Sequence, residues 1–282
     1  MPSAASSSST ARSVPMEDKA KGGLQHIPTG AALSLHSTRS SIIARGRRDA
    51  ANAASNPHYR QAVTDYNARN FTEAAASFRL AAEQGHAESQ YLLSTMYDAG
   101  LVRPQQGLPQ DATQAAYWER KAAEQGHAYA QANLSFRCYA ANNFSEAFAW
   151  CQRAAHSNLA WAQYNLGLMY RKGEGVPQSN TEAAHWYRLA ATQNFPEAQQ
   201  KLADLYYTGQ GVPLSYTQAA AWYRKAADHG NAEAQFQLGH LYAIGQGVEH
   251  DYTQSRHWTR QAALQSHEQA LRELKRREYR DP

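Results

Sequence analysis

The chain has 282 residues, of which 43% are hydrophobic, with 28 Lys and Arg, 24 Asp and Glu, and two Cys. Such a composition can supply a folded core, whereas two cysteines are too few for a disulfide framework. No apolar run approaches the roughly 18 residues of a membrane-spanning helix, and the N-terminus lacks the apolar centre of a Sec signal peptide. We therefore expect a soluble protein, located in the cytoplasm unless its N-terminal segment directs it elsewhere.

Residues 1–55 form the first predicted segment, a disordered leader rich in Ser, Ala and Arg with almost no aromatic residues. It carries seven basic and three acidic side chains, which equals the whole net charge of +4 and leaves residues 56–282 neutral. A neutral folded part argues against nucleic-acid binding. A transit peptide and a non-Sec secretion signal remain alternative roles for the leader.

Residues 56–282 form a predicted repeat domain. Five units begin with a motif of the type Ala-x-Ala-Gln; counting from its first residue, Leu stands at +6, a small residue at +7 and Tyr at +10, where Cys138 is the exception. A Trp and a pair of Ala residues follow in each of the five units. The units span about 57–86, 87–127, 128–159, 160–195, 196–231 and 232–267, and a capping helix is predicted at 268–280.

Each unit is predicted to fold as two antiparallel helices. Leu at +6 and Tyr at +10 are one helical turn apart, so they form one buried stripe, and the small residue at +7 allows a close helix contact. Gly173-Glu174-Gly175-Val176 and its two later counterparts are typical of a left-handed helix end. Asn180-Thr181-Glu182 and Asp251 are predicted to cap second helices.

The unit from 160 to 195 contains, in order, Leu166-Gly167-x-x-Tyr170, Gly173-x-Gly175-Val176 and Ala183-x-x-Trp186-Tyr187-x-x-Ala190-Ala191. These motifs resemble the Sel-1-like repeat family, a relative of the tetratricopeptide repeat. The resemblance implies an all-α, right-handed α-solenoid of about six antiparallel helix pairs plus a C-terminal capping helix. It also implies a non-catalytic adaptor or scaffold.

No catalytic or metal-binding arrangement stands out in the sequence. Neither His-x-x-x-His nor Cys-x-x-Cys occurs, so we expect no metal and no cofactor. Cys138 and Cys151 are predicted to be free thiols, because the helix register separates them along the axis by about 6 Å. A hydrolase of the kind reported in the cysteine-rich branch of the family remains the alternative, although that branch has one disulfide bridge in every repeat.

A binding face is predicted beside the buried stripe of the first helices, at positions +1, +4, +8 and +11. These positions are aromatic in the middle of the array and acidic at its flanks, and aromatic residues are typical of interface hot spots. The sequence predicts that this concave face binds a protein or peptide; a secreted bacterial effector that binds a host protein is a second form of this hypothesis. The +4 aromatic residues could instead pack between repeats. The predicted contact residues are Tyr91, Tyr129, Phe136, Tyr139, Trp161, Tyr164, Tyr207 and Phe236.

Overall fold

The computed structural model describes residues 56–99 and 110–278, and the leader predicted at 1–55 lies outside them. The described residues form thirteen helices and no strand, arranged as six helix pairs and a last single helix. This confirms the predicted all-α solenoid with its capping helix. The pairs are α1 Pro57–Asn67 and α2 Phe71–Glu83, α3 Ala87–Ala99 and α4 Ala112–Glu124, α5 Ala128–Ala140 and α6 Phe144–His156, α7 Ala160–Lys172 and α8 Asn180–Thr192, α9 Pro196–Thr208 and α10 Tyr216–Asp228, and α11 Ala232–Ile244 and α12 Tyr252–Leu264; the single helix is α13 Glu268–Glu278.

Local polar residues fix where the second helices begin. The Asp251 carboxylate accepts hydrogen bonds from the backbone N–H groups of Thr253 and Gln254 at 2.8 and 3.0 Å, as a capping residue should. The cap of α8 is one residue earlier than the sequence predicted: Ser179 Oγ accepts from the backbone of Glu182 at 3.2 Å. Asn180 is instead the first helical residue, because the Ser hydroxyl reaches the free N–H groups from that position.

Glycines close the hairpins of the last three complete pairs. Gly173 ends α7 with a left-handed φ of 74°, which glycine adopts at little cost. A Cβ on Gly175 would lie 2.1 Å from the carbonyl oxygen of Phe144, at the start of the preceding second helix. The Gly-x-Gly motif therefore serves both the helix end and the contact between neighbouring repeats.

The glutamine of each unit's opening motif joins consecutive repeats. Its side-chain amide nitrogen donates to a backbone carbonyl near the end of the preceding second helix, at distances of 2.9–3.3 Å. All five glutamines are buried, and such a buried amide needs these bonds to offset its lost hydration. They are Gln90, Gln131, Gln163, Gln199 and Gln235.

The tyrosine at +10 is held by an arginine of the preceding second helix. Its hydroxyl receives a hydrogen bond from an Arg guanidinium 18 residues earlier in three junctions: Arg79 with Tyr97, Arg188 with Tyr206, and Arg224 with Tyr242. The exceptional Cys138 has Arg120 at the same separation. Arg120 instead forms an ion pair with Glu146 at 2.9 Å.

We predict that Cys138→Tyr stabilises the protein, because the new hydroxyl can accept from Arg120 as in the other junctions. One added hydrogen bond contributes about 1 kcal/mol, which raises Tm by about 2–4 °C in a chain of this size. Thermal unfolding followed by circular dichroism measures the shift. Cys138→Phe, which adds the ring without the hydroxyl, should gain less; a lower Tm for Cys138→Tyr would show that the ring does not fit there.

One junction contains a charged cluster where the others are apolar. Position +9 holds the buried residues Met96, Met169, Leu205 and Leu241 in four units, but Arg137 in the unit that starts at residue 128. Arg137 lies 2.8 Å from a carboxylate oxygen of Glu119 and 3.0 Å from one of Asp98. Glu119 is only 2% exposed, and burial raises the pKa of its carboxyl despite Arg137.

Candidate protein-binding face

The first helix of every pair contributes to one side of the solenoid, and we call this side the first-helix face. It is formed by α1, α3, α5, α7, α9 and α11. Two of the eight predicted contact residues are buried there: Tyr91 is 6% exposed and Tyr164 is 5% exposed. The remaining six are partly exposed: Tyr129, Phe136, Tyr139, Trp161, Tyr207 and Phe236.

Aromatic residues at +4 pack against the residue that immediately precedes the next first helix, which we call position −1. Ring centroids are 4.4 Å apart for Tyr91 and His127, 5.4 Å for Tyr164 and Phe195, and 4.9 Å for Phe236 and His267. The +4 row therefore contributes mainly to packing between repeats, the alternative that the sequence left open for it. The prediction of a contact role is best carried by the +1 row, namely Tyr129 and Trp161.

Two of the −1 residues are histidines that also bind a glutamate of the preceding repeat. His127 Nε2 lies 2.9 Å from Glu88, and its Nδ1 accepts from the backbone N–H of Ala130 at 3.2 Å. His267 repeats both contacts, with Glu233 at 2.9 Å. The hydrogen bond from His267 lowers the pKa of the Glu233 carboxyl. These two acidic residues of the face are thus used in holding neighbouring repeats together.

A third acidic residue of the face, Asp204, is also bound within the solenoid. Its carboxylate accepts from the hydroxyl of Tyr223 and the amide of Gln200, both at 2.6 Å. Burial raises the pKa of Asp204. The acidic flanks noted in the sequence are therefore largely engaged in internal hydrogen bonds.

Tyrosines at +11 are fixed at the opposite end of the first helices. The Tyr139 hydroxyl donates to both carboxylate oxygens of Glu174 at 2.9 and 3.0 Å, and burial together with this contact raises the pKa of Tyr139 to about 12. Tyr207 packs edge-on against Tyr216, with ring centroids 5.4 Å apart. Both side chains have a fixed orientation, which lowers the entropy cost of using their exposed edges in binding.

The middle of the face has apolar residues where helix caps are normally polar. Leu159 and Phe195 precede α7 and α9, and neither makes a side-chain capping hydrogen bond, whereas Asn231 caps α11 at 2.8 Å. A polar N-cap stabilises a helix by about 1 kcal/mol, so two adjacent helices forgo that contribution. Leu159 and Phe195 are partly exposed and lie beside Trp161 and Tyr164 in the chain's repeat register.

We call Tyr129, Leu159, Trp161 and Phe195 the central apolar patch. These residues pack against three successive core clusters, so each belongs to a different junction or to neighbouring sides of one. The sequence analysis missed Leu159 and Phe195, because position −1 lies outside the helical wheel. The signal was present as an apolar residue where His127, Asn231 and His267 occupy the same position.

The cysteines offer no activated nucleophile. Cys138 and Cys151 are free thiols. Burial raises the pKa of Cys151 to about 12, and burial together with Glu146 raises the pKa of Cys138, so both are protonated at neutral pH. Among residues 56–99 and 110–278, no three His, Cys, Asp or Glu side chains are grouped so as to hold a metal ion. None of the helices in these two ranges is long and apolar enough to cross a membrane.

Comparisons with known proteins identify the repeats. The Sel1 repeat model matches residues 68–86, 87–127, 128–159, 162–195, 196–231 and 232–267. No curated protein matches the chain.

Two solved structures share both fold and sequence. A protective antigen of uropathogenic Escherichia coli, described as having an SLR fold, is 33% identical with a TM-score of 0.67; the match covers 78% of this chain and 48% of the antigen. This chain thus corresponds to about half of that protein. A Sel1 repeat protein of Oxalobacter formigenes is 30% identical with a TM-score of 0.64, over 74% of this chain and 83% of that protein. The chain belongs to the Sel1 repeat family.

Proposed function

We propose that the protein is a non-catalytic adaptor that binds a segment of another protein on its concave, first-helix face. The contact is centred on the central apolar patch, with Phe136, Tyr139, Tyr207 and Phe236 as additional candidates along the same face. The carrying observation is the pair of apolar N-caps at Leu159 and Phe195, because these residues give up helix capping and keep partly exposed apolar surface. Tyr129 and Trp161 add aromatic side chains of the kind found in interface hot spots.

The hydrolase alternative has less support. Its family branch is rich in cysteines, whereas this chain has two free thiols whose pKa values are raised. Membership in a repeat family that acts as a scaffold favours the adaptor role. The proposal concerns a protein or peptide ligand and requires neither a metal nor a cofactor.

The test uses a variant in which the patch is removed while the helices stay capped. In Leu159→Asn/Phe195→Asn, each Asn should accept a hydrogen bond from its helix, as Asn231 does from Ala234. We therefore expect a folded protein with a Tm close to that of the wild type. A displayed library of random peptides is selected on the full chain, and enriched peptides are then measured against the variant.

The wild type should enrich related peptides that bind the double variant at least thirtyfold more weakly, the loss expected for a hot spot of 2 kcal/mol or more. The matched control, His127→Asn/His267→Asn, makes the same substitution at two polar junctions and should retain binding. Equal affinity of the patch variant for every enriched peptide would place the binding surface elsewhere. Failure of the wild type to enrich any related peptides would contradict the peptide-binding role.

A further inference from the structure

The leader contains a segment whose chemistry matches the central apolar patch. Residues 41–48 read Ser-Ile-Ile-Ala-Arg-Gly-Arg-Arg, so a short apolar stretch is followed by three arginines within four residues. This is the strongest combination of apolar and basic residues in the leader, and it lies close to the first repeat. The segment is outside the described residues, so its fit is argued from composition, charge and reach.

The patch has carboxylates at both of its ends. Glu88 lies beside His127, whose ring is 6.2 Å from that of Tyr129. At the other end, Glu197 is in the first turn of α9, directly after Phe195 and Pro196, and it is close enough to Tyr164 to contribute to the raised pKa of that tyrosine. An apolar centre between two carboxylates is complementary to isoleucines adjacent to arginines.

One cation also faces this region, and it is balanced locally. Arg171 acts on Tyr164 in the direction opposite to Glu197 and Asp204, and it lowers the pKa of the Asp204 carboxyl. The field at the patch therefore keeps its negative contribution from Glu197. An arginine-rich segment is favoured over an acidic one at this end of the patch.

The connection to the first repeat is long enough to place the segment there. Asn56 caps α1, and eight residues separate it from Arg48, so an extended connection reaches about 26–29 Å. Neighbouring helices pack about 8–10 Å apart, which puts α5 about 16–20 Å and α7 about 24–30 Å from α1. Arg48 can therefore reach the helices that carry Tyr129 and Trp161.

We propose that residues 41–48 of the leader bind the central apolar patch of the same chain. Tethering gives such a segment an effective concentration in the millimolar range, so even a weak contact is populated. An external ligand must then displace the leader, and anything that removes or modifies the leader raises the affinity for that ligand. This inference rests on the proposed function, because both assign binding to the same patch.

The direct test is photo-crosslinking in the full chain with p-benzoyl-phenylalanine in place of Ile43. Mass spectrometry should locate intramolecular crosslinks at the beginnings of α5, α7 and α9, near Tyr129, Trp161 and Phe195. The same probe at Leu24, an apolar leader position outside the segment, is the control and should give few crosslinks there. The Leu159→Asn/Phe195→Asn background should lose the Ile43 crosslinks while circular dichroism shows retained helix.

Crosslinks from Ile43 to other parts of the solenoid, or only between two chains, would overturn the proposal. A second measurement uses Ile42→Asp/Ile43→Asp, which should bind a library-selected peptide at least threefold more tightly than the wild type. Unchanged affinity would also count against leader occupancy. If selected peptides depend on the patch but Ile43 does not crosslink to it, the leader inference fails and the adaptor function stands; if selected peptides ignore the patch, the adaptor function fails.

Discussion

Replacing Arg137 by Met should lower the free energy of unfolding by about 3 kcal/mol. Methionine is the residue at the same position in two other units, as Met96 and Met169, so its shape suits the site. The loss comes instead from Glu119, whose carboxylate is 2% exposed and lies 2.8 Å from the Arg137 guanidinium. Removing one partner of a buried ion pair leaves an uncompensated charge, which costs about 3–5 kcal/mol; the partial exposure of Arg137 places this case at the lower end.

The control is the double variant Arg137→Met/Glu119→Leu, which removes both charges and should return close to wild-type stability in urea titrations. The single variant should also respond to pH. Burial raises the pKa of Glu119, so the folded state binds its proton at higher pH than the unfolded chain, and stability from this group increases as pH falls. Loss of the cation strengthens that shift, so the deficit of Arg137→Met should shrink between about pH 7 and about pH 5. A deficit that is independent of pH and unchanged in the double variant would mean that Arg137 acts through packing alone.

The repeat pattern was sufficient to predict the fold because every unit states it again. Leu166, Gly167 and Tyr170 recur in register, and their helical spacing alone places them on one stripe. The structure adds what single positions contribute. The recurrent glutamine bonds to the preceding repeat, and the arginine 18 residues before the +10 tyrosine binds its hydroxyl; both are contacts between units that no period within one helix can indicate.

The candidate face was harder to predict because a helical wheel gives direction but not the height of the neighbouring surface. Tyr91 and Tyr129 both lie beside the buried stripe, yet Tyr91 is covered by His127 and Tyr129 stays partly exposed. The covering residue is at position −1, just before a helix, where the helical period does not apply. The sequence still contained a usable signal, since Glu88 and Tyr91 precede His127 at the same spacing as in the later group of Glu233, Phe236 and His267.

Gly167→Leu is the second substitution for which we expect a large loss, about 3 kcal/mol of unfolding free energy. A Cβ at Gly167 would lie 2.6 Å from two ring carbons of Tyr187 and 3.3 Å from the carbonyl oxygen of Ala183. Tyr187 is fully buried, so its ring has no room to move, and a leucine adds three further carbons at this contact. Overpacking of a filled core costs about 1–3 kcal/mol, and the two close contacts place this case at the upper end.

The clash is local, so it should be relieved by shortening the opposing side chain. Tyr187→Ala alone should cost about 3 kcal/mol through its cavity, whereas Gly167→Leu/Tyr187→Ala should cost less than the two single losses added together, because leucine then fills part of the space. Urea titrations of the four proteins give this coupling. Strict additivity would contradict the contact between Gly167 and Tyr187, and with it the register of α7 on α8. A favourable coupling would show that the small residue at +7 and the large residue after each Trp are matched in size, which is how one unit of the solenoid closes on itself before the next unit covers it.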